Sequence, residues 1–305
     1  MTDTSSQTPP ANIIAGMLWM VLTTIMFASV TAIVRYLGSD LPAAEAAFIR
    51  YAIGTVLLLP SLWAMRSRAF GWPAMGRFMA RGFIHGIAVI LWFFAMARIP
   101  MAEVTAIGYT APIYVTIGAA VFLGERFQLR RLAAVLVGFL GALIILRPGV
   151  SEVSWGALAQ VCAAPLFAVS FLMAKNFTGK YSPTVIVGFL SVFCTIALLP
   201  PALWDWRPPT LEEWFWLGMT AVIATIGHLT MTQALRNAPI TVTQPVSFLQ
   251  LVWAASLGII LFGEPLDPYV LVGGGIVVLA ATYISRRESI AARQAATPPA
   301  PATKI

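Results

Sequence analysis

Ten stretches of this chain, each long enough to cross a bilayer or nearly so, carry almost no charge. A helix needs about 20 apolar residues to span the hydrocarbon core, and backbone in lipid must satisfy its own hydrogen bonds. The stretches are continuously apolar and do not alternate with period two, so helices are expected and barrel strands are not. They fall at about 12–36, 43–64, 78–97, 101–123 and 129–146, then 155–175, 182–204, 213–234, 240–262 and 269–285. Composition agrees, with 10% charged residues against about 25% in soluble domains. The expected fold is an all-α polytopic membrane protein of ten transmembrane helices. The short connections leave no room for a soluble domain. Residues 1–11 and 288–305, rich in Thr, Pro and Ala, read as disordered tails. The first span is too long for a signal-peptide core and no Lys or Arg precedes it, so it is expected to stay uncleaved.

The chain also contains one pattern twice. Phe93–Glu125 aligns without a gap on Thr232–Glu264, 139 positions later. Ala95 falls on Ala234, Pro100 on Pro239, and Gly124-Glu125 on Gly263-Glu264. The preceding helices echo each other at an offset of 140: Gly16, Phe27, Ala28 and Arg35 fall on Gly156, Phe167, Ala168 and Lys175. Each half has five spans, an odd number, so the second half enters the membrane upside down. Two inverted five-helix repeats are therefore expected, over residues 12–150 and 151–287. Substrate held between such halves near the midplane is the architecture of many secondary transporters.

The net charge of +7 does not imply a nucleic-acid partner, because the charges sit in short loops and the C-terminal tail. With the N-terminus inside, fourteen of the 19 Lys and Arg, Arg77 and Arg81 among them, lie in cytoplasmic segments. Arg35, Arg98, Arg147 and Arg207 lie in outer segments, and Arg50 lies within a span. Positive residues stay inside, so both termini are expected in the cytoplasm. Trp204, Trp206, Trp214 and Trp216 read as an interfacial belt. Cys162 and Cys194 lie in apolar spans and read as buried free thiols.

Two five-helix halves, each closing its fourth helix with Gly-Glu, resemble the EamA-type members of the drug/metabolite transporter superfamily. Pro112 followed by Ile-Tyr-Val-Thr and then Phe122-Leu-Gly-Glu-Arg126 is similar to the family's fourth helix. Thr243-Gln-Pro-Val-Ser-Phe248 with Phe262-Gly-Glu264 is similar to its ninth. The second half departs in one respect: Leu251 stands where Pro112 would fall, and its proline is Pro245. The resemblance implies a cavity lined by helices 1, 3, 4, 6, 8 and 9 and a multi-pass protein of the bacterial inner membrane. It leaves the substrate open, since the family spans amino acids, nucleosides, vitamins such as riboflavin, sulfonium metabolites and drugs.

Ionisable and polar side chains within spans usually face a cavity or a partner. Arg50, paired with Glu45 or Glu103, is a candidate for holding an anionic substrate group through its planar fork. His85 and His228, in corresponding helices, are candidates for a coupling proton. His85 lies in Gly82-Phe-Ile-His-Gly86, whose small-residue spacing also favours close helix packing. Tyr109 and Phe248 are repeat equivalents suited to stacking on a substrate, and Gln244 and Gln250 flank Pro245, where a broken helix offers polar groups. Glu125 and Glu264 end helices at opposite faces, so capping, pairing with loop arginines or gating is expected of them, not shared acid–base work. No nucleophile–base pair, metal motif or phosphate-binding loop is visible, and no cofactor is expected. A secondary-active or facilitative transporter of a small organic metabolite is thus the leading expectation. The alternatives are a non-transporting membrane scaffold or receptor and an intramembrane enzyme. A proton as coupling ion and a homo-oligomeric state stay open.

Overall fold

In the computed structural model, the described residues are 12–64, 71–111, 114, 129–147, 153–238, 243 and 246–296. They form ten helices: α1 Ile13–Leu37, α2 Ala43–Ala64, α3 Trp72–Met96, α4 Met101–Gly108, α5 Leu129–Leu146, α6 Trp155–Thr178, α7 Pro183–Trp204, α8 Leu211–Asn237, α9 Leu249–Phe262 and α10 Pro268–Ala296. No strand occurs among the described residues. Six helices (α1, α2, α3, α6, α7 and α8) are long and apolar enough to cross a membrane, and α5, α9 and α10 carry shorter apolar runs. The chain is a multi-pass membrane protein.

Local chemistry sets where several helices begin. Asn12 accepts from Ala15 N at 3.0 Å and Ser154 from Ala157 N at 3.1 Å, satisfying first-turn amides that have no helical partner. Thr210 and Glu213 form a reciprocal capping box at the start of α8. At its other end, α9 stops at Gly263, whose φ of 62° lets its N–H bond to Ile259 O at 3.1 Å.

Four boundaries differ from the sequence expectation. Helix α3 begins at Trp72, not at 78, because Pro73 sits in the first turn, where a missing N–H costs nothing. Arg77 and Arg81 therefore belong to the helix, and Arg81 is buried instead of lying in a cytoplasmic loop. Helix α4 ends at Gly108 and α9 begins at Leu249, so Tyr109 and Phe248 mark breaks inside the expected spans; the sequence leads one to expect a break near Pro245 but none at Tyr109. Finally, α10 runs on to Ala296, through residues expected to open a disordered tail. The Ala, Arg, Glu and Gln of that stretch are good helix formers, and a helix already nucleated in the membrane extends through them. The rest of the C-terminal tail, residues 1–11, and Pro112, Gly124, Glu125, Gln244 and Pro245 lie outside the described residues.

Between helices, packing depends on small side chains. In lipid, association is driven by close contact and not by hydrophobicity, so small residues sit at the crossings. A Cβ on Gly82 of α3 would collide with that of Phe193 in α7, and one on Gly141 of α5 would lie 2.8 Å from Gly273 O of α10. Buried Cys194 uses the first approach to place its thiol 3.2 Å from Gly82 O. Cys162, expected to be buried, is exposed on the bundle surface. In a bilayer that surface is apolar too, so a thiol is tolerated there.

Candidate functional site

A cavity of about 230 Å³ lies at the centre of the bundle. Its wall comes from α1, α3, the α4 end, α6, α8 and α9, the six helices that the family resemblance implies. Phe27, Trp92 and Phe167 supply aromatic surface; Arg81, His85, Gln160, His228 and Gln250 supply polar groups.

Two histidine–phenylalanine pairs face each other across it. His228 meets Phe27 edge-on at 5.1 Å between ring centroids, and His85 meets Phe167 edge-on at 5.1 Å. Phe27 and Phe167 are repeat equivalents. The two imidazoles lie 5.4 Å apart, and Trp92 touches both phenyl rings. His85 Nδ1 shares a 2.9 Å hydrogen bond with Ser170 Oγ, while His228 Nδ1 has no partner among the described residues. The small-residue run around His85 thus does two things: Gly82 lets α3 close on α7, and His85 hydrogen-bonds across to α6.

Arginines surround this wall. Arg81, 2% exposed, donates to Ser170 O at 3.1 Å and Ile186 O at 3.2 Å. Arg50, 3% exposed, lies over the Tyr51 ring at 4.0 Å, and its Nε and Nη1 have no hydrogen-bond partner among the described residues. Tyr51 in turn packs edge-on against His85 at 6.2 Å. The carboxylates expected beside Arg50 are elsewhere. Glu45 accepts from Arg207 N at 2.9 Å, and the charged groups acting on Glu103 are Arg147, Asp267 and Glu264. Glu45 precedes Arg50 by five positions, which sets the two on different sides of α2.

At the edge of the cavity the two broken helices meet. The Tyr109 and Phe248 rings touch at 4.8 Å, and the Tyr109 hydroxyl donates to Ser247 O at 2.9 Å. Gln250 reaches the cavity wall as well. Sequence reasoning missed Arg81. The signal was Pro73, which marks an early helix start and puts Arg81 one turn before His85.

Toward the face where α1 ends, the bundle is clasped shut by charge. Arg35 Nε donates to Glu264 Oε1 at 2.9 Å, and its Nη1 donates to Ala97 O at 3.1 Å. The second Glu264 oxygen accepts from Met101 N at 2.9 Å, the free amide at the start of α4. A carboxylate suits that position, since helix N-termini carry partial positive charge. This one side chain ties α1, α4 and α9 together. Arg147 and Asp267 form a second link at 2.6 Å on the same side.

A helical membrane bundle that encloses a polar and aromatic cavity under a charged closure has the form of a solute carrier. The chain belongs to the EamA-like transporter family, whose pattern matches residues 14–147 and again 154–286. It is 30% identical to a riboflavin transporter of Vibrio cholerae over 92% of this chain and 95% of that one. The pseudopaline exporter CntI of Pseudomonas aeruginosa is 28% identical over 89% of this chain and 96% of its own length. An S-adenosylmethionine uptake transporter of Rickettsia bellii is 26% identical over 88% and 92%. A solved crystal structure shares the fold at a TM-score of 0.60 and 15% identity, covering 91% of this chain and 98% of that one. The relatives are named as transporters, and this protein is a transporter, not an enzyme.

Proposed function

We propose that the protein is a secondary-active or facilitative transporter that moves a small aromatic metabolite across the inner membrane by alternating access between two inverted repeats. The observation that carries this reading is the central cavity, walled by helices of both halves and closed at one face by the Arg35–Glu264 clasp. The relatives named for riboflavin, pseudopaline and S-adenosylmethionine support a small-metabolite cargo.

Contacts between equivalent residues support a two-fold relation of the halves. Thr55 and Thr195, 140 positions apart, share a 3.0 Å hydrogen bond where α2 crosses α7, and Tyr109 touches Phe248 where α4 crosses α9. Equivalent residues touch each other only near a symmetry axis. Further pairings come as images: α1 packs on α8 as α6 packs on α3, and α1 on α9 as α6 on α4. Arg35 donates to Ala97 O, and its equivalent Lys175 donates to Leu235 O at 2.5 Å.

For orientation, the positive-inside bias survives removal of Arg81 from the cytoplasmic set, leaving thirteen cations against four. Both termini are then cytoplasmic and the clasp lies outside. His85 and His228 are the cavity's candidates for a coupling proton, with Arg50, Arg81 and Tyr51 the ionisable groups around them. Flux in proteoliposomes tests the whole reading. A folded protein that moves no member of a panel of vitamins, amino acids and nucleosides, and that no member stabilises, argues for a scaffold instead. A ligand at 100 times its Kd raises stability by about 2.7 kcal/mol, so binding is visible whichever way transport runs. Replacing both histidines by Gln should flatten the pH dependence of flux; an unchanged profile assigns them to packing.

A further inference from the structure

Two arginines are buried within this bundle with no acid beside them among the described residues. The chain has 12 Asp and Glu, all at span ends, in loops or in the tails, and none in the apolar middle of a span. The charged groups acting on both cavity histidines are Arg50 and Arg81, with no carboxylate beside them among the described residues. The carbonyls of Ser170 and Ile186 hold Arg81 in place, but they are neutral. A guanidinium has five N–H donors, and these two bonds leave several over on a side chain that lines the cavity. Arg50, outside the cavity lining, rests on the Tyr51 ring, and its Nε and Nη1 have no partner among the described residues. His228 Nδ1 and Gln160 Oε1, both on cavity-lining residues, have no partner among the described residues either. Buried charge is normally matched by opposite charge, because a low-dielectric interior penalises it otherwise.

We propose that the missing counter-charge is the cargo: a small organic anion whose carboxylate or phosphate docks on Arg81, with the Arg50 charge behind it, and whose aromatic body lies against Phe27, Trp92 and Phe167. This deepens the transporter reading and rests on it. A guanidinium fork matches both anionic groups in two parallel hydrogen bonds, and an aromatic wall accepts a planar ring. The volume, about 230 Å³, suits a cargo of one or two rings.

Thermal unfolding of the detergent-purified full chain tests this with matched probes: nicotinate against nicotinamide, phenyl phosphate against phenol, and chloride and inorganic phosphate alone. The expected result is a raised Tm with an organic anion and none with its neutral partner. Arg81→Gln should weaken that anion ~10-fold or more, since hydrogen bonds to charged groups are the strong ones. Arg81→Lys, which keeps the charge but loses the fork, provides a second test if Arg81→Gln does not fold, and it too should weaken the anion. Arg98→Gln, on an exposed side chain at the end of α3, should leave binding unchanged. Equal shifts by neutral and anionic partners, shifts reproduced by chloride or phosphate alone, or no shift with any organic anion would each overturn the proposal. Flux separates it from the reading beneath. Transport of neutral compounds without anion binding sinks the anion site alone. Arginine-dependent anion binding without flux of any compound sinks transport and leaves the site.

Discussion

At the clasp, Arg35 meets Glu264, and the same carboxylate takes up the first amide of α4. At the centre, Arg50 and Arg81 are more deeply buried, yet among the described residues Arg50 lies over an aromatic ring and Arg81 donates to two carbonyls, with no acid beside either. The contrast is instructive because the side chain is the same. Where an arginine has its own acid, the pair works as a joint between helices and asks for nothing further. Where it is buried with no acid beside it among the described residues, the proposed anion would complete it. A transporter needs both: a joint that can open, and a site that is complete only when loaded.

The sharpest way to break that contrast is to remove the acid from the clasp. Glu264→Ala strands a guanidinium that is 24% exposed and the α4 amide together, and should cost about 2–3 kcal/mol in thermal unfolding. A double-mutant cycle with Arg35→Met should show coupling; additive effects would reduce the clasp to a surface contact. Next in size, Gly82→Ala should cost about 1–3 kcal/mol by forcing α3 off Phe193. It should weaken cargo binding as well, because Arg81 precedes it directly. By contrast, Arg81→Met should change stability by about 1 kcal/mol or less, since a hydrophobic replacement of a buried charge is often neutral. It should still abolish anion-dependent stabilisation. A loss of stability as large as that of Glu264→Ala would make Arg81 a joint like Arg35. Smallest of all, Tyr109→Phe removes one hydrogen bond to Ser247 O and should cost about 1 kcal/mol. Flux is the more telling measurement there, because that contact lies where the two broken helices cross.

Much of the centre was legible from the repeat. Tyr109 and Phe248 stand at matching positions, and the structure brings their rings together. The histidines were marked by their scarcity, since only His85 and His228 occur. What misled was charge taken as a sign of position. Charge normally ends a span, which sets Arg81 with the cytoplasmic cations, but the helix starts nine residues earlier at Trp72. Proximity in sequence suggests Glu45 as the partner of Arg50, whereas five residues along a helix turn two side chains away from each other. Glu45 instead accepts from the backbone of Arg207, 162 positions away.

Helix number, the broad span limits and the membrane environment follow from the sequence, because bilayer thickness and backbone satisfaction act on each stretch separately. The family pattern is likewise local enough to be read there. Which arginine finds an acid, which histidine finds a serine, and where a cavity is left between six helices are different questions. Those partners lie 80 to 230 positions apart and are joined by side-chain packing at helix crossings, as with Ser170 to His85 and Glu264 to Arg35. Only the assembled bundle decides them, because a helix carries all its side chains around its axis and its neighbours determine which ones are buried.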